Sequence, residues 1–300
     1  MSKTLKYLLF TFISAYILDI SVSRDLDIGS YGSLVSASST SILIMFMPTV
    51  GALIAGADIR EFGWKPDIAN SKKLILLAWL LPTVQTALGA ALYYIIFPSE
   101  FDTTGIFLQI SKPDAFNAMK NSGGSYGSYV IRKIIMSVIS PQLLLAVFQG
   151  LGEEIGWRGF LFPRLKMKYG RTRGLLLGGV IHGAWHFPIM LLAGYEYGMD
   201  YIGAPVLGLI AFCIFTIATG IVSDYLYEKS QCILLPALYH GAINRSFNPY
   251  MLNNCEHIEH SIFGPADIGL IGVIPLLGFA LYLLYKENKC ERAEDLWLIQ

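Results

Sequence analysis

The sequence predicts an all-α, polytopic membrane helix bundle of about eight transmembrane helices, and three observations predict it. Hydrophobic residues make up 54% of the 300-residue chain and charged residues only 15%, where a soluble domain carries roughly a quarter charged. Mean hydropathy is +0.52. The apolar residues also gather into eight segments, several long enough to cross a hydrocarbon core of roughly 30 Å. Formal net charge is zero, so electrostatics gives no reason to expect a nucleic-acid partner. The expected partner is the lipid bilayer, with the whole chain, 1–300, as one integral membrane domain.

The first apolar segment, Tyr7 to Ile20, follows Lys3 and Lys6 and is short. A cleaved signal peptide would show an A-x-A site, and Asp19 would not interrupt its core, so a retained helix is expected. The second and third segments, Leu34 to Ala57 and Leu74 to Phe97, hold Pro48 and Pro82, which a bundle tolerates when neighbours satisfy the freed backbone. A polar connection then runs from Pro98 to Tyr129, with the Asn121-Ser-Gly-Gly-Ser run inside it. Connections of this length are uncommon unless functional or mobile, and a lid or a surface helix are the forms it can take. The remaining spans are expected from Val130 into the 153–154 region, Gly174 to Ala193, Tyr201 to Ser223, Cys232 to Phe247 and Ala266 to Tyr285. Four scattered cysteines make no disulfide framework. Cys255, His257 and His260 have loosely metal-like spacing in a polar loop, and no metal site is expected there.

Lysine and arginine placement sets orientation. Arg164, Lys166, Lys168, Arg171 and Arg173 follow the fourth span, and Lys286, Lys289 and Arg292 lie in the tail. With Arg158 and Arg245 set aside, eight spans put 15 of the 22 basic residues on the side of both termini and 5 on the other. Both termini are therefore expected in the cytoplasm.

Charges persist where they are most costly. The stretch Leu151 to Arg164 reads LGEEIGWRGFLFPR directly after an apolar run. A charge at membrane depth costs about 2.5–3.5 kcal/mol on insertion scales, so such residues usually face the protein interior and mark function. Glu154 and Arg158 are four apart and can pair on one helical face, which leaves Glu153, about 100° around the helix, without that partner. Two further segments carry polar pairs at i, i+4: His182-Gly-Ala-Trp-His186 and His240-Gly-Ala-Ile-Asn244. At ~1.5 Å per residue, Glu153, His186 and His240 lie roughly 14–18 Å from the cytoplasmic ends of their helices, so they can meet in one chamber reached from that side. A desolvated glutamate can act as general base toward water, while histidine and asparagine can donate to an oxyanion. No G-x-S-x-G elbow is present. The pair His182 and His186 lacks the glutamate of a zincin helix, although a glutamate from another helix could complete a metal site.

At GEEIGWRGF, HGAWHFP and HGAIN the chain resembles the CPBP family, the CAAX proteases and bacteriocin-processing enzymes also called Abi. The family signatures EExxxR, FxxxH and HxxxN/D correspond here to Glu153-Glu154-x-x-x-Arg158, to His186, and to His240-x-x-x-Asn244. The resemblance covers about 140–247, and His182 stands where the family usually has phenylalanine. It implies an eight-helix intramembrane endopeptidase acting on a peptide or protein substrate, lipidated ones included. It also implies roles: Glu153 as the base toward water assisted by His186, His240 and Asn244 at the oxyanion, and Glu154 with Arg158 orienting the site. The family is described both as metal-dependent and as metal-free. Arg158 beside the carboxylates disfavours a divalent cation, so no cofactor is expected; a metal such as zinc would be expected on Glu153, His186 and His240. Two readings outside proteolysis remain open at this point, an ion-coupled transporter and an immunity protein that acts by binding.

Overall fold

The computed structural model describes residues 1–28 and 40–298, and among these the regular structure is helical, with a single isolated bridge between Phe101 and Asn253. Helix α1 (Lys3–Ile28) is part of the fold: Trp185 Nε1 donates to its Thr11 carbonyl at 3.2 Å and Tyr16 donates to the Ala184 carbonyl. A break at Phe46 precedes α2 (Met47–Ile54), and the expected start of this segment, 34–39, lies outside the described residues. Helix α3 (Ile68–Ile96) contains Pro82 and is anchored to later helices through Gln85, Thr86 and Trp79.

The polar connection does contain helices, α4 (Ile106–Ser111) and α5 (Pro113–Asn121). Asp102 holds the turn into them by accepting from the Thr104 hydroxyl and from the amides of Thr104, Gly105 and Ile106. Burial opposes the charge of Asp102, but these donors prevail and hold its carboxyl below the usual carboxylate range. Leu108 and Met119 then pack with Tyr126, Tyr129, Phe247 and Met251 into a small apolar core of their own.

The expected fourth span is two helices, α6 (Tyr126–Ile139) and α7 (Gln142–Gly156), bent by 54° about Ser140-Pro141, where proline supplies no backbone N–H. Beyond α7 a π-helical turn, Trp157–Leu161, leads into α8 (Phe162–Tyr169). Pro163 cannot donate to the carbonyl four residues back, which fits a widened turn at this point. Helix α9 (Arg171–Trp185) gives way at His186 to α10 (Phe187–Ala193), followed by α11 (Val206–Ser230), α12 (Leu234–Asn244) and α13 (Ile274–Leu298).

The count of about eight spans is not confirmed. Among the described residues four helices are long and apolar enough to cross a membrane, five if the bent pair counts as one. The expected seventh span is helical only over the 11 residues of α12, roughly 16 Å, which is too short for a bilayer. The expected eighth becomes helical only at Ile274, and half of that helix is charged tail.

Close backbone contact fixes the helices around the site. A Cβ on Gly241 would meet the Val147 amide nitrogen at 2.6 Å, and one on Gly150 would meet the Ala237 carbonyl at 2.9 Å, so α7 and α12 touch backbone to backbone. Small residues permit such approach between helices in lipid. Thr216 Oγ1 donates to the Gly179 carbonyl at 2.9 Å and ties α11 to α9.

Candidate active site

The expected polar groups do converge. Glu153 and Glu154, at the end of α7, are 3% and 1% exposed, and Arg158 on the π turn is 1% exposed. Arg158 pairs with Glu154, its Nε 3.1 Å from Oε2 and its Nη1 3.2 Å from Oε1. Its charge is thereby committed one carboxylate away from Glu153. Glu154 Oε1 also accepts from His240 Nδ1 at 2.8 Å.

Glu153 has a different set of neighbours. Its Oε2 lies 3.0 Å from His182 Nε2 and accepts from Trp157 Nε1 at 3.2 Å. Its Oε1 is 3.7 Å from His240 Nε2. The two fixed contacts on one oxygen leave the other facing the gap toward His240. His186 sits at the α9–α10 break, and its Nδ1 is 3.2 Å from the His182 carbonyl. Such a bond places the proton on Nδ1 and leaves Nε2 with a lone pair for water or a metal.

These groups line a cavity of about 550 Å³, together with Asn244 and apolar residues of α11 such as Phe212 and Phe215. The cavity extends from Ser223 on α11 to Tyr195, Glu196 and Asp267 in loops at the far end of that helix. Those loops lie opposite the Arg164–Arg173 segment, whose Lys166 and Arg171 pair with Asp224 and Glu228 at the other end of α11. The lining thus runs from near the basic end of α11 to the loops at its other end.

Comparison with known proteins separates the remaining readings. Residues 136–246 match the family model described as type II CAAX prenyl endopeptidase Rce1-like. That segment holds Glu153, Glu154, Arg158, His182, His186, His240 and Asn244. A relative, CAAX prenyl protease 2 of Methanococcus maripaludis, is 25% identical over 250 residues, which cover 79% of this chain and 81% of the relative. The chain is accordingly a peptidase, and the transporter reading falls away.

Within the matched segment, two residues approach Glu153 that sequence reasoning did not assign to it. His182, which stands where the family usually has phenylalanine, reaches the carboxylate directly. Its ring lies 4.8 Å from that of Trp157 and 5.4 Å from that of His186. Trp157 sits four residues after Glu153, the same spacing that joined Glu154 to Arg158, so the signal was present in the sequence. The structure also regroups the metal-competent set. A ligand atom from each of Glu153, His182 and His186 lies within 4.8 Å of the others, with His182 in the place expected for His240. One carboxylate and two imidazoles are a donor set of the kind that holds a catalytic zinc, and an ion held there would polarise a water. The other histidine-bearing loop is different in kind: His260 bonds Glu100 and His257 bonds Glu259 at 3.1 Å, and Cys255 is exposed.

Proposed function

We propose that the chain is an intramembrane endopeptidase that hydrolyses a peptide bond of a membrane-associated substrate, prenylated CAAX-type chains among the candidates, with Glu153 as general base. The observation that carries this reading is the asymmetry of the paired glutamates. Glu154 is held by Arg158 and His240, whereas Glu153 Oε1 stands 3.7 Å from His240 Nε2, outside hydrogen-bond distance, and Glu153 lines the cavity. In this reading Oε1 of Glu153 takes a proton from water, and the oxygen forms a bond to the substrate carbonyl carbon. His186 Nε2 orients that water. The negative charge passes to the carbonyl oxygen, where His240 Nε2, when both ring nitrogens carry protons, and the Asn244 amide donate hydrogen bonds. Collapse breaks the C–N bond, and Glu153 returns its proton to the leaving amine. Glu154 and Arg158 orient His240, and His182 and Trp157 orient Glu153. The reaction is expected to need no divalent ion, because the chain's own acid–base groups complete the proton transfers.

Incubating the purified protein in bilayers with a panel of membrane-tethered peptides, read by mass spectrometry, tests the activity. Glu153→Gln should lower the rate by about 10²–10⁴-fold, the usual worth of a positioned acid–base group. Asn244→Ala should cost about 10²–10³-fold. A fully active Glu153→Gln variant would sink the assignment. Stoichiometric zinc whose chelation abolishes cleavage would instead make Glu153, His182 and His186 metal ligands.

A further inference from the structure

Five carboxylates line the chamber, and the reaction uses two of them, Glu153 and Glu154; the other three are Asp19, Glu196 and Asp267. Among the described residues the one lysine or arginine in the lining is Arg158, and its charge is committed to Glu154. Asp19 is the most telling of the three. It lies within the candidate span Lys3–Arg24 of α1 and is 3% exposed, and its carboxylate has no hydrogen-bond or ion-pair partner among the described residues. An acid inside a span is costly, and such residues mark the places where a substrate or ion is received. Tyr16 donates to the Ala184 carbonyl at 3.1 Å, which fixes α1 against the end of α9, and Asp19 stands about one helical turn further along. Asp267 is 8% exposed, and its Oδ2 accepts from Gln85 Nε2 at 3.1 Å and from Thr86 Oγ1 at 3.4 Å, neither of them charged. Burial pushes the Asp267 carboxyl above the usual carboxylate range, as expected where no counter-charge is at hand.

These acids share the chamber with the reacting groups. The Tyr195 ring lies within 8° of parallel to that of His186, their centroids 6.1 Å apart, and Glu196 follows it in the chain with its side chain exposed. Phe212 approaches both rings, at 4.9 Å from His186 and 6.4 Å from Tyr195. Tyr195 and Phe212 thus give the chamber aromatic faces on which a cation, or the stem that carries it, can rest. A bare metal ion is not what the three acids fit. Among the described residues the ligand atoms that converge belong to Glu153, His182 and His186, and those of Asp19, Glu196 and Asp267 do not. Separated carboxylates along an apolar wall suit a long side chain with an apolar stem and several N–H donors at its tip. The geometry points to a cation-binding subsite in which Asp19, with Asp267, receives the lysine or arginine side chain of a substrate residue beside the cleaved bond. Glu196, at the exposed end, draws that cation inward. This inference rests on the endopeptidase reading and adds to it the class of side chain that the chamber selects.

Binding can be measured without cleavage by using the full-length Glu153→Gln protein in neutral-lipid nanodiscs. The probes are fluorescein-labelled peptides with a farnesylated cysteine and three further residues, and a lysine stands either directly before or directly after the cysteine. In the control for each, that lysine is acetylated on its side-chain nitrogen, which keeps the stem and removes the charge. Fluorescence anisotropy should show at least one lysine peptide binding about tenfold or more tighter than its acetylated control, as hydrogen bonds to a charged group allow. Asp19→Asn disturbs no recorded side-chain partner and should cut that preference at least about threefold. In Asp19→Asn/Asp267→Asn, checked for an unchanged melting temperature, it should shrink to within about twofold. Equal binding of lysine and acetyl-lysine peptides at both positions, or a preference that Asp19→Asn leaves intact, overturns the subsite. A lysine preference in the Glu153→Gln protein, when the native protein cleaves no membrane-tethered peptide, would refute the peptidase reading alone. Cleavage by the native protein at equal rates with lysine and acetyl-lysine would refute the subsite alone.

Discussion

Glu153 and Glu154 are adjacent in sequence, yet their neighbours give them unlike tasks. A buried ion pair such as Arg158 with Glu154 returns little net stability, but removing one partner strands the other charge, at a cost of about 3–5 kcal/mol. Glu154 is thus a structural anion that also fixes the ring of His240. Glu153 is positioned by two donors on one oxygen, and His182 is the more telling of them, because the family pattern favours phenylalanine there. On that pattern alone His182→Phe would be a mild change. The 3.0 Å contact to Glu153 predicts more. A hydrogen bond to a charged group is worth about 1.5–3 kcal/mol, so kcat/KM should fall roughly tenfold to a hundredfold. His182→Gln, which offers an amide donor, should recover part of that loss, and the pH–rate profile of His182→Phe should move as Glu153 loses a donor. An effect within threefold with an unmoved profile would return His182 to a packing role.

At the scale of elements, the spacing of polar residues within each helix was legible and the helix limits were less so. The i, i+4 pairs on α9 and α12 and at the end of α7 were readable because a 3.6-residue period fixes which side chains share a face. The bend at Pro141, the π turn before Pro163 and the shortness of α12 were not, because apolar composition continues through all three breaks. The contact of His182 with Glu153 depends on how α9 packs against α7, and pairing across helices leaves no trace in local periodicity. The same holds for the approach of α7 and α12, which lets His240 reach Glu154. Gly241→Ala tests that approach, since its methyl group would meet backbone of Ala146 and Val147 rather than a flexible side chain. Overpacking of this kind costs about 1–3 kcal/mol, so the variant should melt at lower temperature. It should also lose cleavage activity even where it remains folded, as α12 is pushed off α7. Parent-like melting and activity would show that the two backbones have room to spare.

For the molecule as a whole, the Arg164–Arg173 segment and the loops around 195–202 fall at opposite ends of α11. Lys3 lies beside Gly56, and the 62–63 carbonyls accept from Ile233 next to the end of α11, where Lys229 pairs with Glu287 at 2.6 Å. The N-terminus, the Arg164–Arg173 segment and the start of the tail therefore share one end of the bundle. The other end gathers the loops around 97–105, 195–202 and 248–263 through bonds such as Ile202 N to Glu259 O and Ser261 Oγ to Tyr197 O. If the basic end is cytoplasmic, as the 15-to-5 bias argues, Tyr195 and Glu196 line the chamber from the opposite face. Cys255 is an exposed native reporter on that face. With Cys213, Cys232 and Cys290 replaced by serine, a membrane-impermeant maleimide added to intact cells should label Cys255 from outside. A cysteine introduced at Lys168 in a cysteine-free background should label only after permeabilisation. The reverse pattern would turn the molecule over, placing the loops around 195–202 toward the cytoplasm and showing that the basic bias, already partly neutralised by Asp224, Glu228 and Glu287, does not set orientation here.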